Sequence, residues 1–236
     1  MTYWMYGWHA CHAALNNPLR KIEKILLDKR QDPKKLQLNR KIPLEEVDVK
    51  IIEQKVGKEA VHQGISMCVH ELVSEDISVF QQDTSMLIVI LDQITDPHNM
   101  GAIWRSCAVF GAAGIVTTER NSAPESGVLA KSASGALEVV PRIEVKNLAS
   151  SIAELKEFGF WVYGFSEHSK ESLQKFSFGK KTALVFGNEG DGMRSLTMKN
   201  CDQTLQLPTS QNFQTLNVSN AAAVALYEVF KQQTHF

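Results

Sequence analysis

Short apolar runs alternate with amphipathic stretches over the last two thirds of the chain. Runs rich in β-branched and aromatic residues predict strands at residues 86–91, 114–117, 160–165, 183–186 and 203–207. These runs are nearly continuous, which is typical of strands buried on both faces of a sheet. Helices are predicted between them, at residues 99–110, 147–158 and 218–232. The pattern therefore predicts an α/β fold with a mainly parallel sheet.

The first third of the chain has a similar alternation on a smaller scale. It predicts a helix at residues 8–15, a strand at 22–27, a helix that ends before Gly57 and a strand at 65–69. The stretch at residues 74–85 is polar, as linkers and long surface loops are. We therefore predict a small α/β domain at residues 1–73, a linker at 74–85 and a larger domain at 86–236.

Composition and charge narrow the class of protein. Of 236 residues, 44% are hydrophobic and 22% are charged, which suits a packed core and excludes a disordered or fibrous chain. A net charge of -1 provides no global field that would concentrate the protein on nucleic acid or anionic lipid. The charge is uneven, because residues 1–73 carry 12 basic and 9 acidic side chains, against 13 and 17 in the remainder. The basic excess is densest at residues 19–41, which could clamp phosphates or simply form a solvated face.

Cysteine usage and hydropathy indicate the compartment. The four cysteines lie far apart in apolar runs, as free thiols do in a reducing environment: Cys11, Cys68, Cys107 and Cys201. The N-terminus has no basic leader before an apolar stretch, and no window approaches ~20 apolar residues, so we expect a cytoplasmic protein without a membrane partner. His9, Cys11 and His12 are residue types that bind zinc, but they offer only three ligands and no partner pair, so no metal is predicted.

Residues that could bind a ligand are expected beyond the carboxyl ends of the strands, because ligands bind there in open parallel sheets. The first such segment contains Asn99, Gly101 and Arg105. Asn99 is a suitable helix cap, and Gly101 leaves the first turn open to a close neighbour. Arg105 lies four residues after Gly101 on the same helix face. Its guanidinium suits a phosphate, although a single helical arginine is more often part of a surface ion pair.

Two further segments follow later strands. A glycine-rich turn with one central carboxylate follows residues 183–186 and reads Gly187-Asn-Glu189-Gly190-Asp-Gly192. It matches neither GxGxxG nor a P-loop, so it supports neither dinucleotide nor nucleoside triphosphate binding. The third segment begins at Leu207-Pro208 and runs from Thr215 through Asn217 and Ser219 into an alanine-rich helix. Asn217 and Ser219 suit helix caps, and the small residues that follow permit close packing, including against a second subunit.

In this order the three segments resemble the three motifs of the SpoU branch of the SPOUT methyltransferases, which methylate the ribose 2'-hydroxyl of RNA. The motifs are Asn99-x-Gly101-x-x-x-Arg105, then Leu184-Val-Phe-Gly187-Asn-Glu189-Gly190-x-Gly192-Met193, then Leu207-Pro208 with Leu216-Asn217-Val218-Ser219. The similarity extends to Lys131-Ser-Ala-Ser-Gly135-Ala136, to Tyr6-Gly7 and to His62-Gln63-Gly64-Ile65. It thus covers nearly the whole chain, including the N-terminal RNA-binding domain of the subgroup that modifies a guanosine of large-subunit (23S) ribosomal RNA.

The resemblance implies a fold and a set of site residues. It implies a C-terminal domain with a deep trefoil knot, an exception to the rule that chains are unknotted. It also implies a homodimer and a bent S-adenosyl-L-methionine held in the knot. The residues it assigns to the cofactor are Gly187, Asn188, Leu207, Pro208 and Leu216. The residues it assigns to catalysis are Asn99, Arg105, Glu189, Thr215, Asn217 and Ser219.

The chemistry of Arg105 and several departures from the family pattern limit which properties of the family can be transferred to this chain. The guanidinium of Arg105 stays protonated at neutral pH because the pKa of arginine is above ~12, so we expect it to orient the substrate and stabilise charge while a substrate phosphate helps to accept the proton. Thr215 stands where the family usually has serine, residues 211–214 replace a loop that commonly contains glycine, and Asn220 replaces a small apolar residue. Trp8, where relatives often carry arginine, could stack on an unpaired base or pack within the small domain.

The leading hypothesis is an S-adenosylmethionine-dependent methyltransferase that acts on the ribose 2'-hydroxyl of a guanosine in 23S ribosomal RNA. Transfer RNA is the first alternative substrate. The alternative from another class is a non-catalytic RNA-binding ribosome-assembly factor, which is motivated by the altered loop before Thr215.

Overall fold

The computed structural model of the chain describes residues 1–82, 84–210, 212 and 215–234. The chain forms two compact units. The first unit consists of Met1–Val73 and Pro124–Val139, and the second of Ser74–Ala123 and the chain from Val140 onward. This division differs from the one drawn on the sequence, because residues 124–139 pack with the small unit and the described part of the polar stretch 74–85 belongs to the large one.

The elements follow in chain order. Before Ser74 the chain forms β1 (Thr2–Tyr6), α1 (Trp8–Asn16), β2 (Ile22–Asp28), β3 (Leu44–Val47), α2 (Val49–Val56) and β4 (Ile65–His70). It continues with β5 (Met86–Asp92), α3 (Pro97–Val109), β6 (Gly114–Thr118), α4 (Gly127–Ala133), β7 (Arg142–Val145), α5 (Leu148–Glu157) and β8 (Trp161–Phe165). The last elements are β9 (Glu171–Ser172), β10 (Lys181–Gly187), α6 (Ser195–Asn200), β11 (Gln203–Gln206) and α7 (Val218–Thr234).

The first unit is built on a four-stranded sheet with the order β1-β4-β2-β3. Strands β1 and β2 are antiparallel to β4, whereas β3 is parallel to β2. The predicted strands at 22–27 and 65–69 and the predicted helices are confirmed. The edge strands β1 and β3 were not predicted; both are short, and β3 also carries two exposed glutamates, Glu45 and Glu46.

A buried arginine joins residues 124–139 to the rest of this unit. Arg20 is fully buried, and its guanidinium contacts Glu125 at 2.5 Å and Glu138 at 2.7 Å. Tyr3 donates a hydrogen bond of 2.7 Å to the same Glu125, and Asn17 donates one of 2.7 Å to Glu138. Burial, followed by the charge of Glu125, raises the pKa of Tyr3. Arg20 therefore serves the interior of the unit and cannot clamp a phosphate.

Half of the remaining basic residues of the 19–41 stretch pair with carboxylates. The pairs are Lys21 with Glu23, Lys24 with Glu45, Lys29 with Asp48 and Arg30 with Asp28. Arg40 donates to the backbone oxygens of Arg20 and Ala14. Within the described residues, Lys34, Lys35 and Lys41 are the lysines of this stretch that have no such partner. The basic excess is thus ion-paired at residues 20–30 and, in the part of the chain that the structure describes, free of carboxylate partners at Lys34, Lys35 and Lys41.

The second unit contains a seven-stranded sheet with the order β7-β6-β5-β10-β8-β11-β9. Every pairing described for it is parallel, as the continuous apolar runs predict. A core on one side of the sheet gathers buried aliphatic and aromatic side chains, including Ile88, Ile90, Val116, Ile152 and Phe160. Helix α3 packs on α7, and α5 contacts α6 and β8. Strands β5 and β10 are direct neighbours, so their carboxyl ends lie side by side.

The described residues contain neither a membrane-spanning helix nor a cluster of metal ligands. No helix within them is long and apolar enough to cross a bilayer. No cluster of three or more His, Cys, Asp and Glu side chains within them is arranged to hold a metal ion. In the His9, Cys11 and His12 cluster, Cys11 is fully buried and its thiol points to the backbone oxygen of Met5 at 3.9 Å.

Candidate active site

The glycine-rich turn begins where β10 ends, next to the end of β5. Gly187 pairs in register with Asp92, and the turn closes by two backbone hydrogen bonds between Asn188 and Gly192, of 3.1 and 2.9 Å. A Cβ on Gly187 would lie 2.1 Å from the carbonyl carbon of Gly192 and from the nitrogen of Met193. Only glycine permits this close approach of two backbone segments.

A buried carboxylate holds the far side of the turn. Asp92, which is fully buried at the end of β5, accepts hydrogen bonds from the Arg194 backbone nitrogen at 2.9 Å and from Arg194 Nε at 2.7 Å. The sequence analysis did not select this pair. The available signal was an aspartate directly after a buried strand and an arginine directly after the glycine-rich turn.

A hydrogen-bond network connects the three predicted motifs. Glu189 Oε1 accepts from Asn99 Nδ2 at 3.1 Å, from Asn217 Nδ2 at 2.5 Å and from the Val218 backbone nitrogen at 3.4 Å. Asn217 Nδ2 also lies 2.8 Å from Asn99 Oδ1. Residues from α3, from the turn after β10 and from the entrance of α7 thus meet around one carboxylate oxygen.

The N-terminal caps of α3 and α7 agree only in part with the prediction. Asp96, not Asn99, caps α3, since its side chain accepts from the Asn99 backbone nitrogen at 2.8 Å. The Asn99 side chain is therefore free to reach Glu189. Asn217 caps α7 as the sequence suggested, because its Oδ1 accepts from the backbone nitrogen of Ser219 at 2.9 Å. Ser219 Oγ donates to the same Oδ1 at 2.5 Å.

Two predicted catalytic residues stand apart from this network. Arg105 is exposed on α3, and no hydrogen bond or ion pair links it to another residue of the described ranges. Gly101, one turn earlier, is buried, so the two do not form a shared open face. Thr215 is also exposed and has no described contact with the network. The loop 211–214 lies outside the described residues except for Asn212.

A cavity of about 260 Å³ opens beside the turn. Four of the five predicted cofactor residues line it: Gly187, Asn188, Leu207 and Leu216. Pro208 is not among the lining residues, and its neighbour Thr209 is. The sequence analysis missed the wall that follows β8, where Phe165 stacks on Phe186 with ring centroids 4.9 Å apart and where Ser166, Glu167 and His168 line the cavity.

Electrostatics at the site exclude a thiol nucleophile near the turn. Cys201 lies against Gly164, and burial raises the pKa of its thiol to about 12. A thiol with such a pKa stays protonated and unreactive at neutral pH. The polar groups at the cavity and the network are carboxamides, hydroxyls, the imidazole of His168 and the carboxylates of Glu167, Glu189 and Asp191.

Two known families match the chain, one over each part. Residues 86–227 match the SpoU rRNA Methylase family. Residues 4–72 match the family described as RNA 2'-O ribose methyltransferase substrate binding.

Curated proteins and solved structures similar to the chain agree with these matches. A 23S rRNA (guanosine-2'-O-)-methyltransferase RlmB from Pasteurella multocida is 38% identical over 97% of this chain and 98% of its own. An RlmB from Haemophilus ducreyi is 36% identical over 99% of both chains. The SpoU methyltransferase AviRb from Streptomyces viridochromogenes, solved with AdoMet, superposes with a TM-score of 0.85 at 21% identity, over 98% of this chain and 90% of its own.

Proposed function

Because the chain belongs to the SpoU rRNA Methylase family, we propose that it methylates the ribose 2'-hydroxyl of a guanosine in 23S ribosomal RNA. The chain is an RNA 2'-O-ribose methyltransferase that uses S-adenosylmethionine, by its family and by its similarity to such enzymes along its full length. The observation that carries the proposal is the convergence of Asn99, Glu189 and Asn217 beside a cavity lined by the glycine-rich turn.

The cavity fits an adenosyl cofactor in its residue types. Its lining combines apolar side chains, such as Leu207, Leu216 and Phe186, with open backbone at Gly187 and Asn188. Acidic side chains at Glu167, Glu189 and Asp191 suit a positively charged group. We propose that Gly187, Asn188, Leu207 and Leu216 hold the cofactor. When bound, it supplies a methyl group on a positively charged sulfur.

The residues of the chain are proposed to position the nucleophile. The 2'-hydroxyl oxygen must approach the methyl carbon in line, the carbon–sulfur bond breaks, and the hydroxyl proton must leave. Asn99, Glu189 and Asn217 orient one another through shared hydrogen bonds, and Glu189 of this network lines the cavity. Ser219 and Thr215 are proposed to contribute at its edge.

Arg105 is proposed to bind the substrate. Its guanidinium is exposed and makes no hydrogen bond or ion pair within the described part of the chain, so it is available for an RNA phosphate. In this position it orients the ribose and stabilises developing negative charge, and a substrate phosphate accepts the proton. Permanent protonation excludes it as the base itself.

One experiment tests this function directly. The purified protein is given labelled S-adenosylmethionine and unmodified 23S ribosomal RNA, and the methylated nucleotide is mapped by its resistance to alkaline cleavage. We expect one 2'-O-methylguanosine. Arg105→Ala is expected to lower kcat/KM about 100-fold or more, and Arg105→Lys is expected to recover only part of the loss. Methylation of transfer RNA in preference to 23S RNA, or no transfer to any RNA, would contradict the proposal.

We further propose that the enzyme is a homodimer. One stripe of α7 is fully buried, yet its other side exposes Val224 at 48% and Tyr227 at 52%. On the neighbouring helix α3, Val109 is 65% exposed. Together these side chains form an apolar surface that a second copy of the chain would cover. Val224→Glu is expected to give monomers by light scattering, whereas Val73→Glu, at a residue that is 91% exposed, should leave the dimer intact.

Three further features are part of the proposal. The deep trefoil knot of the family stays a prediction for this chain. A substrate in ribosomal RNA implies a cytoplasmic protein. Transfer of a methyl group from a sulfonium needs no metal, because the leaving group is a neutral thioether.

A further inference from the structure

The indole of Trp8 is held in a fixed position at the start of α1. The Trp8 backbone nitrogen donates to Gln63 Oε1 at 3.1 Å, and the indole Nε1 donates to the Gln63 backbone oxygen at 3.1 Å. Gln63 itself has a positive φ of 59°, which few residues other than glycine adopt. The ring remains partly exposed. The indole bond fixes the orientation of a ring that is still open to a ligand on part of its surface.

A lysine from a distant part of the chain completes this arrangement. Lys131 Nζ donates to the same Gln63 Oε1 at 2.8 Å. Its side chain lies across Gly7, where an added Cβ would be 2.6 Å from Nζ and 2.7 Å from Cδ. Gly7, Trp8, Gln63 and Lys131 therefore form one surface feature of the first unit, which we call the Trp8 corner.

The Trp8 corner contains hydrogen-bond donors that no residue of the described chain uses. Gln63 Oε1 already accepts from both Trp8 and Lys131, whereas Gln63 Nε2 has no partner within the described residues. The Lys131 ammonium has three N–H groups, and one of them is used. No carboxylate of the described chain pairs with Lys131, in contrast to the basic side chains of residues 21–30. The corner thus combines an aromatic ring, a lysine charge free of carboxylates and unused N–H donors.

We propose that the Trp8 corner binds one unpaired nucleotide of the RNA substrate, with its base on the indole and its phosphate at Lys131 and Gln63 Nε2. The proposal rests on the proposed function, in which RNA is the substrate. Bases that are not paired stack on aromatic side chains, and lysine neutralises backbone phosphates. The basic side chains of residues 20–30 are held by carboxylates, whereas the charge of Lys131 lies beside an aromatic ring and has no carboxylate partner within the described residues.

RNA binding by variants at Trp8 tests the stacking half of the proposal. The probe is a fluorescent 12-nucleotide oligouridylate, which forms no stable secondary structure, together with unmodified 23S RNA. Trp8→Leu keeps an apolar side chain without a stacking surface, and we expect it to weaken binding of the oligonucleotide roughly 5- to 100-fold. Trp8→Phe should retain most of the affinity. Trp161→Ala removes a tryptophan that is 60% exposed on the second unit and should leave binding unchanged.

The salt dependence of RNA binding tests the proposed contact between a phosphate and Lys131. Loss of one phosphate contact lowers the slope of log K against log salt by about one. We expect this for Lys131→Gln, which keeps a long polar side chain next to Gln63. Lys146→Gln, at an exposed lysine of the second unit, is the control and should keep the slope of the unaltered enzyme. This measurement does not depend on the folding of the Trp8 variants.

The outcomes separate this inference from the proposed function. In one outcome the unaltered enzyme methylates 23S RNA, and Trp8→Leu and Lys131→Gln bind both RNAs as tightly as it does. The Trp8 corner is then not an RNA site, and the inference is overturned. If both variants lose affinity while no RNA is methylated, the corner is supported and the proposed function fails. Equal losses in Trp8→Leu and Trp161→Ala would also overturn the stacking role.

Discussion

Asp92 and Arg194 lie 102 residues apart in sequence and form a two-point contact that closes the glycine-rich turn. The carboxylate is fully buried, whereas the arginine side chain is 45% exposed. One end of the turn is thus attached to the strand next to it. The geometry of the cofactor cavity depends on this attachment, because Gly187, Asn188 and Met193 all line the cavity.

Asp92→Asn is therefore expected to affect cofactor binding more than the chemical step. The amide cannot accept from both the Nε and the backbone nitrogen of Arg194 as strongly as a carboxylate does, since charge-assisted hydrogen bonds are roughly twice as strong as neutral ones. We expect the KM for S-adenosylmethionine to rise about tenfold with a smaller change in kcat. Asp48→Asn, at an aspartate of the first unit whose side chain is 74% exposed, is the control. An unchanged KM in Asp92→Asn would show that the turn holds its geometry without the pair.

Gly187→Ala tests the close backbone approach in the turn. The new Cβ would meet the backbone of Gly192 and Met193 at 2.1 Å, and backbone cannot rotate away as a side chain can. Overpacking of this kind costs about 1–3 kcal/mol. We expect weaker S-adenosylmethionine binding by calorimetry and a lower melting temperature.

Gly190→Ala is the matched control for that substitution. It lies in the same turn, and the nearest atom to an added Cβ is Asn188 Oδ1 at 3.9 Å, an ordinary contact. This variant should bind the cofactor normally. Equal losses in the two variants would mean that flexibility of the turn, and not the approach at Gly187, matters for binding.

Glu189→Ala should disconnect the three motifs. It removes the oxygen that accepts from Asn99, Asn217 and Val218, which leaves Asn99 Nδ2 without an acceptor while Asn217 Nδ2 keeps only Asn99 Oδ1. Hydrogen bonds to charged groups contribute about 1.5–3 kcal/mol each. We expect kcat to fall at least 100-fold, measured in single-turnover methyl transfer. Glu189→Gln preserves one acceptor oxygen and should lose less. If both variants turned over normally, the network would have no part in catalysis.

Arg20→Met should destabilise the first unit strongly. It leaves the carboxylates of Glu125 and Glu138, with side chains 9% and 3% exposed, without their common cation. Breaking a buried ion pair by removing one partner costs about 3–5 kcal/mol. Chemical denaturation followed by circular dichroism measures the loss. Lys29→Met is the control, because Lys29 and its partner Asp48 are 58% and 74% exposed, and it should cost no more than about 1 kcal/mol.

Several parts of the fold were predictable because their signals are local. Strands β5, β6 and β10 are continuous apolar runs, and such runs indicate burial on both faces wherever the strands lie in the sheet. The glycine-rich turn and the polar entrance of α7 were also visible, since glycine, asparagine and serine report backbone geometry close to themselves. The short strands β3 and β7 and helix α4 gave no comparable periodicity.

The sequence by itself thus determined the type of the main elements and the residue types of the candidate site. Only the tertiary structure decided which of those residues meet. Glu189 contacts Asn99 across 90 positions of sequence, and Arg20 contacts Glu138 across 118. A charge count cannot distinguish an arginine buried between two carboxylates from one that faces solvent, because each adds one positive charge to the count. That distinction removes Arg20 as a phosphate ligand, and the proposed nucleotide site consists of Trp8, Gln63 and Lys131, whose proximity depends on three segments packing together.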